Sequence, residues 1–299
     1  MIYGIIDIGS NAIRLSLFEL VKDELKLLTK NKVLAGLASY VEDDSITQEG
    51  IDKACEVVKS YKDVVDRFNI QNVLVLATAS LRNVKNGEEA AEAINKTTGF
   101  KVEILSGEEE AYYDFKGAIH SLDMNDGVLI DIGGGSTEIV LFKDKEVIKA
   151  FSMPIGCLNF YANYVNGLIP TEEERNQMKD VTLQELNKIQ DIKSNQLDKV
   201  CGVGGTVKAA IALNNKLFGD NKETIKVSNI QRVLNKLNNQ EKPTLNKIIK
   251  VVPDRIHTII PGMVILDTIT QYFNSKEIYL SKYGVGEGYL FSKLGKNNK

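Results

Sequence analysis

Asp131 and Glu138 bracket the stretch "DIGGGSTE", in which three glycines, a serine and a threonine separate two apolar, strand-like runs. Glycine loses more backbone freedom on folding than any other residue and adds little to a strand. A lone glycine pair would serve a tight hairpin that needs positive φ. Three of them, Gly133, Gly134 and Gly135, followed by Ser136 and Thr137, offer a row of backbone N–H groups and two hydroxyls to one concavity, which suits phosphate oxygens. The flanking acids would repel such an anion unless a cation lay between them. Asp131, at the end of an apolar strand, is the place for a hard, oxygen-ligated ion such as Mg2+, held in part through water.

The turn has a second copy. "IIDIGSNAIRLSLF" aligns without a gap on residues 129–142 at an offset of 124 residues (131 − 7), so that Asp7 falls on Asp131, Gly9 on Gly133, and Phe18 on Phe142. Self-similarity over that distance points to a duplicated domain and not to a short-period solenoid. Two facing hairpins, each with an aspartate at its strand end, would form a cleft between two lobes, with the N–H groups around Gly9, Ser10 and Asn11 serving as the first cradle. A third glycine turn, Gly204, Gly205 and Thr206 in "VCGVGGTVKAA", leaves an apolar strand and enters a helix, another geometry that binds phosphate. No stretch fits a Walker loop, and Val207 stands where a dinucleotide fingerprint needs its third glycine.

Strands alternating with helices on short connections must position these groups. Apolar residues at Ile51, Ala54, Val58, Tyr61, Val65 and Phe68 keep helical spacing through 46–68; "NVLVLATAS" and "FKVEIL" read as strands, and "PTEEER" starts a long polar helix. Arg82 and the triplet Glu108, Glu109, Glu110 follow strand ends, where α/β sheets place ligands. Ser106 and Glu109 have the spacing of a capping box, which makes Glu109 structural. Glu108 complements the helix dipole. Glu110 is left to face the cleft, although a glutamate in a first helical turn is by itself usually a dipole complement. The composition shift at "SLDMNDG" divides the chain into lobes at 1–123 and 124–299, with room for the last helix to pack back on the first. The Asn/Lys-rich stretch 214–242 reads as solvated helices and loops.

Together "DIGSN", "DIGGGSTE", "ATASLR", "SGEEEA" and "GVGGTVKAA" resemble the exopolyphosphatase and guanosine pentaphosphate phosphohydrolase (Ppx/GppA) family of the actin, sugar kinase and Hsp70 superfamily. The resemblance spans Asp7 to Gly288. It implies an α/β fold of two ribonuclease H-like lobes about a phosphate-binding cleft, and hydrolysis of phosphoanhydride bonds in inorganic polyphosphate or guanosine pentaphosphate. It carries the catalytic base over to Glu110, which would orient and deprotonate the attacking water, with Arg82 neutralising the transferred group. Asp131, helped by Asp7 and Glu138, would hold Mg2+ against the phosphates; Glu138 could instead pair with Arg14. The chain departs from the family pattern at Ala12, Tyr112 and Gly286, which removes one hydroxyl and two cationic partners. Two other readings use the same turns: an actin-like-fold kinase that passes phosphate from ATP to an acceptor, and a non-catalytic alarmone sensor.

A chain of 299 residues, 43% apolar, suits two folded domains. A net charge of −3 argues against a general nucleic-acid binder. No apolar run approaches the roughly 18 residues that span a bilayer, and no basic leader is visible, so a cytoplasmic protein without membrane partners is expected, with a homodimer allowed. Cys55, Cys157 and Cys201 read as buried reduced thiols, and His120 and His257 lack zinc-ligand spacing. Only six of the 37 basic residues are arginine, and Arg14, Arg82 and Arg255 lie in or beside family-like segments.

Overall fold

In the computed structural model, which describes residues 1–22, 24–189, 197–219, 222–238 and 242–297, the two glycine hairpins each open a mixed sheet. The chain forms two compact units, Met1–Glu110 with Tyr289–Lys299, and Ala111–Gly288. The α/β class expected from the sequence is the one observed.

In the first unit, β1 (Ile2–Ile8), β2 (Ile13–Val21) and β3 (Glu24–Val33) form an antiparallel meander, followed by the two-residue strands β4 (Val41–Glu42) and β5 (Ser45–Ile46). Helix α1 (Gln48–Arg67) then returns the chain to β6 (Asn72–Ala77), which lies parallel to β1. The short α2 (Ala79–Arg82), α3 (Gly87–Thr98), β7 (Val102–Ile104) and α4 (Gly107–Ile119) follow, and the main sheet runs β3-β2-β1-β6-β7. Alternation along β1 and β2 sends Ile6, Ile8, Ile13, Leu15 and Leu17 to one face. There they meet Ala54, Val58, Tyr61 and Val65 of α1, the helical stripe visible in the sequence. Thr47 caps α1 by accepting from the Gly50 N–H, and the Tyr61 hydroxyl donates to the Ile13 carbonyl at 3.1 Å, tying the helix to the strand after the first turn.

The second unit repeats the plan. Strands β8 (Gly127–Ile132), β9 (Thr137–Lys143) and β10 (Glu146–Met153) form the meander, and α5 (Cys157–Tyr164) and α6 (Glu172–Asn187) precede β11 (Lys199–Val203), which is parallel to β8. Beyond it come α7 (Gly204–Phe218), β12 (Thr224–Lys226), α8 (Val227–Asn238), α9 (Lys242–Val251), α10 (Ile259–Tyr272) and β13 (Glu277–Leu280), and then α11 (Val285–Asn297), which from Tyr289 on counts with the first unit. The sheet order is β10-β9-β8-β11-β13-β12. The first four strands correspond to β3-β2-β1-β6, the order generated by one meander and one parallel crossover. Helix α6 begins at "PTEEER" as the sequence implies, with Thr171 and Glu174 in a reciprocal capping box. Helix α10 is apolar on nearly every side because α5, α6, α7 and α8 all pack on it. In the Asn/Lys-rich stretch, α8 and β12 are formed, while residues 220–221 and 239–241 lie outside the described residues.

Candidate functional site

The duplicated hairpins keep the offset of 124 residues in their hydrogen bonding as well as in their sequence. The Gly9 N–H donates to the Ala12 carbonyl at 3.1 Å, and the Gly133 N–H to the Ser136 carbonyl at 2.9 Å. Asp7 faces Arg14 across β1 and β2, and Asp131 faces Glu138 across β8 and β9. The two hairpins differ in charge at this point. Arg14 Nη1 donates to Asp7 Oδ2 at 2.7 Å, so the first hairpin balances its acid with a base. The second sets an acid opposite an acid, an arrangement that like-charge repulsion by itself disfavours. Glu138 is 1% exposed, and its Oε1 accepts from the Ser152 hydroxyl of β10 at 2.7 Å.

Asp131 stands at the edge of the third turn. Gly204 has φ +79°, open to glycine at little cost, and a Cβ there would strike Asp131 Oδ1. Gly205 carries the guanidinium of Arg255 against its backbone, so a side chain at 205 would displace it. Thr206 turns inward, its hydroxyl donating to the Ile132 carbonyl at 2.8 Å, which fixes the start of α7 to the end of β8. Within this unit the structure therefore brings together Asp131, Glu138, the turn Gly133 to Ser136, the turn Gly204 to Thr206, and Arg255. Arg255 lies beside a family-like segment with a guanidinium suited to phosphate oxygens, but its contact with Gly205 is long-range and leaves no sequence signal. Asp114 of α4 carries no sequence signal. It is fully buried, with Oδ1 3.3 Å from where a Cβ on Gly284 would stand. Burial, with the charges of Asp114 and Asp131, pushes the Cys201 thiol far up and leaves it inert. Cys157 is raised by burial too, and all three cysteines are free.

The first unit holds the acidic triplet and Arg82. Ser106 and Glu109 form the capping box, the Glu109 N–H donating to Ser106 Oγ at 3.1 Å and the Ser106 N–H to Glu109 Oε2 at 2.9 Å. Glu108 and Glu109 are exposed, whereas Glu110 is 7% exposed. Arg82 Nη1 donates to Glu110 Oε2 at 2.5 Å and to the Leu105 carbonyl at 3.2 Å. A carboxylate taken this far from water needs a charged partner. Arg82 sits at the end of α2, a single turn and not a loop, and that turn is anchored by the Ser80 hydroxyl donating to the Ile8 carbonyl.

Among the described residues no group of three or more His, Cys, Asp or Glu is placed to hold a metal ion. Mg2+ binds through one or two carboxylates completed by water and substrate phosphate, and the opposed Asp131 and Glu138 fit that demand.

The sequence pattern of the Ppx/GppA phosphatase family matches residues 17–297. The chain belongs to that family. Its relatives include the bifunctional 3-dehydroquinate synthase/phosphatase of Fusobacterium nucleatum, 29% identical over 302 residues that cover 93% of this chain and 44% of the relative. A guanosine-5'-triphosphate,3'-diphosphate pyrophosphatase of Pseudoalteromonas translucida is 25% identical over 98% of this chain and 59% of its own length. The chain thus spans about half the length of these two relatives. Among solved structures, the Ppx/GppA family member of Aquifex aeolicus is 27% identical, with a TM-score of 0.83, 100% of this chain covered and 99% of that one. The resemblance read from the motifs and the family match agree, and the actin-like fold comes with the family.

Proposed function

We propose that the chain hydrolyses the terminal phosphoanhydride bond of inorganic polyphosphate or guanosine pentaphosphate, with Mg2+ bound by Asp131 and Glu138. One observation carries this reading. Of three consecutive glutamates at a helix start, the one matching the family's catalytic position is buried on an arginine, while its neighbours take the ordinary capping and dipole positions. A dipole complement would face water.

Phosphoryl transfer leaves a protein little covalent work, so positioning and charge dominate. The turns around Gly9, Ser10 and Asn11, Gly133 to Ser136, and Gly204 to Thr206 would hold phosphate oxygens by backbone N–H groups other than those of Gly9 and Gly133, which close the two hairpins. Asp7, already balanced by Arg14, stiffens the first turn and leaves Asp131 and Glu138 as the metal pair. Bound Mg2+ would draw charge from the terminal and penultimate phosphates. Arg82 exchanges one Glu110 oxygen for an oxygen of the transferred group, a fork-shaped donor suited to both. Glu110 Oε2, released from that bond, accepts a proton from water as the water oxygen attacks terminal phosphorus, and the bridging oxygen leaves with the shortened chain. The Pseudoalteromonas relative's name supports the nucleotide substrate, and the family description supports phosphatase chemistry.

A phosphate-release assay offering long polyphosphate, tripolyphosphate, guanosine pentaphosphate and ATP side by side with Mg2+ tests the proposal. Release from polyphosphate or guanosine pentaphosphate well above ATP is the expected result. Alarmone binding without release would select a sensor, and transfer from ATP to an acceptor would select a kinase.

A further inference from the structure

A glycine turn cradles an anion only while its peptide planes are held with their N–H groups on one side. In the turn Gly133 to Ser136, three successive carbonyls are engaged from the start of α5. The Cys157 N–H donates to the Gly133 carbonyl at 3.0 Å, and the Leu158 and Asn159 N–H groups donate to the Gly134 carbonyl at 2.9 and 3.3 Å. Asn159 Nδ2 donates to the Gly135 carbonyl at 3.3 Å. A trans peptide is planar with its N–H opposed to its C=O, so these bonds turn the N–H groups of Gly134, Gly135 and Ser136 away from α5. The approach is close: a Cβ on Gly156 would lie 2.5 Å from the Gly134 carbonyl carbon and 2.7 Å from the Gly135 nitrogen.

Two of the three anchors are backbone, and the third is a side chain. The duplicate hairpin shows what the third replaces. There the Ser10 carbonyl, at the position of Gly134, accepts from the Ala38 N–H at 3.0 Å, and the Asn11 carbonyl, at the position of Gly135, accepts from the Gly36 N–H at 2.9 Å. The Asn159 amide thus stands in the second hairpin where a main-chain donor stands in the first. Its orientation is fixed by its other bonds: Oδ1 accepts from the Gly156 N–H at 2.7 Å, and Nδ2 also donates to the Pro154 carbonyl at 3.2 Å. A backbone N–H can only donate and a carbonyl can only accept, so the amide can sit only one way round.

We propose that Asn159 is a positioning residue: its amide locks the peptide between Gly135 and Ser136 so that the Ser136 N–H is presented to a phosphate oxygen. This rests on the reading of Gly133 to Ser136 as a phosphate turn. Asn159→Asp keeps the acceptor for Gly156 and adds a negative charge in the first turn of α5, but it has no donor for Gly135. Asn159→Ser is neutral and too short to reach that carbonyl. Both release the third peptide, while α5 remains packed through Phe160 and Cys157.

The test is calorimetric binding of inorganic tripolyphosphate with Mg2+, in a Glu110→Gln background that suppresses turnover. Both variants should lose about tenfold or more in affinity per folded molecule, the weight of one hydrogen bond to a charged group, beyond any change in thermal midpoint. A purely structural role would lower the midpoint and leave affinity per folded molecule as in the parent. Either variant binding as tightly as the parent overturns the assignment, since a loss confined to Asp would be charge repulsion alone. Absence of binding by the parent itself would overturn the phosphate-turn reading, and this assignment with it.

Discussion

Glu110 and Arg82 are bonded to each other, and in the proposed reaction both act on substrate, so their pair would open during each turnover. Glu110→Gln keeps the size of the side chain and an acceptor for Arg82 while removing the proton-accepting charge. Turnover should fall by about 10²–10⁴-fold with folding and tripolyphosphate binding nearly intact, measured by phosphate release and calorimetry. Glu109→Gln preserves the capping box and should retain activity. The opposite ranking would mean that the triplet has been sorted wrongly. Arg82→Ala strands a buried carboxylate and should destabilise the protein by about 3 kcal/mol in urea titration, more than Glu110→Gln does. The sequence showed three adjacent acids and identified the capping one by spacing. It could not show that Glu110 is ion-paired, because Arg82 lies 28 residues away and meets it only through the anchoring of α2 on β1.

At the scale of elements, the glycine turns are held in place by segments distant from them in the chain. Gly156→Ala would push a methyl into the Gly134–Gly135 backbone, so it should weaken tripolyphosphate binding by about tenfold or more while the remainder of α5 stays helical by circular dichroism. Gly204→Ala adds backbone strain of about 1–3 kcal/mol and a clash with Asp131, and should lower both stability and Mg2+-dependent phosphate release. Where α6, α8 and α10 meet, burial pushes the Asp267 carboxyl up to about 6, against the pull of Lys179 and hydrogen bonds from Gln271 and Gln231. A carboxyl raised in the folded state favours the protonated protein, so its contribution is present below the ordinary carboxylate range and is lost as pH rises through about 6. Asp267→Asn should therefore raise the thermal midpoint at about pH 8 and change it little at about pH 3, below the ordinary carboxylate range. The hairpins and α1 were legible because their pairing and apolar stripe are local. The anchoring of Gly133 to Gly135 by α5, and of Gly205 by Arg255, joins segments far apart in the chain and leaves no local pattern.

For the molecule as a whole, one hairpin has been used twice with opposite charge logic. The repeat at 124 residues (131 − 7) identified the duplication, and the matching registers Asp7 to Arg14 and Asp131 to Glu138 show how the copies diverged. In the first, Arg14 balances the aspartate; in the second, Glu138 faces it, and the proposed Mg2+ would join the two. Excess chelator should accordingly abolish phosphate release from the wild type, Mg2+ should restore it, and Asp131→Asn should not be rescued at modest added Mg2+. Arg14→Ala should cost stability without making the first hairpin metal-dependent. Hydrolysis and phosphoryl transfer would use the same turns, and tracing oxygen separates them. Tripolyphosphate turned over once in 18O-labelled water should yield orthophosphate carrying one labelled oxygen and pyrophosphate carrying none, as attack on the terminal phosphorus requires. Label in the shortened chain, or phosphate found on an acceptor with no labelled orthophosphate, would rule out hydrolysis at the terminal phosphorus.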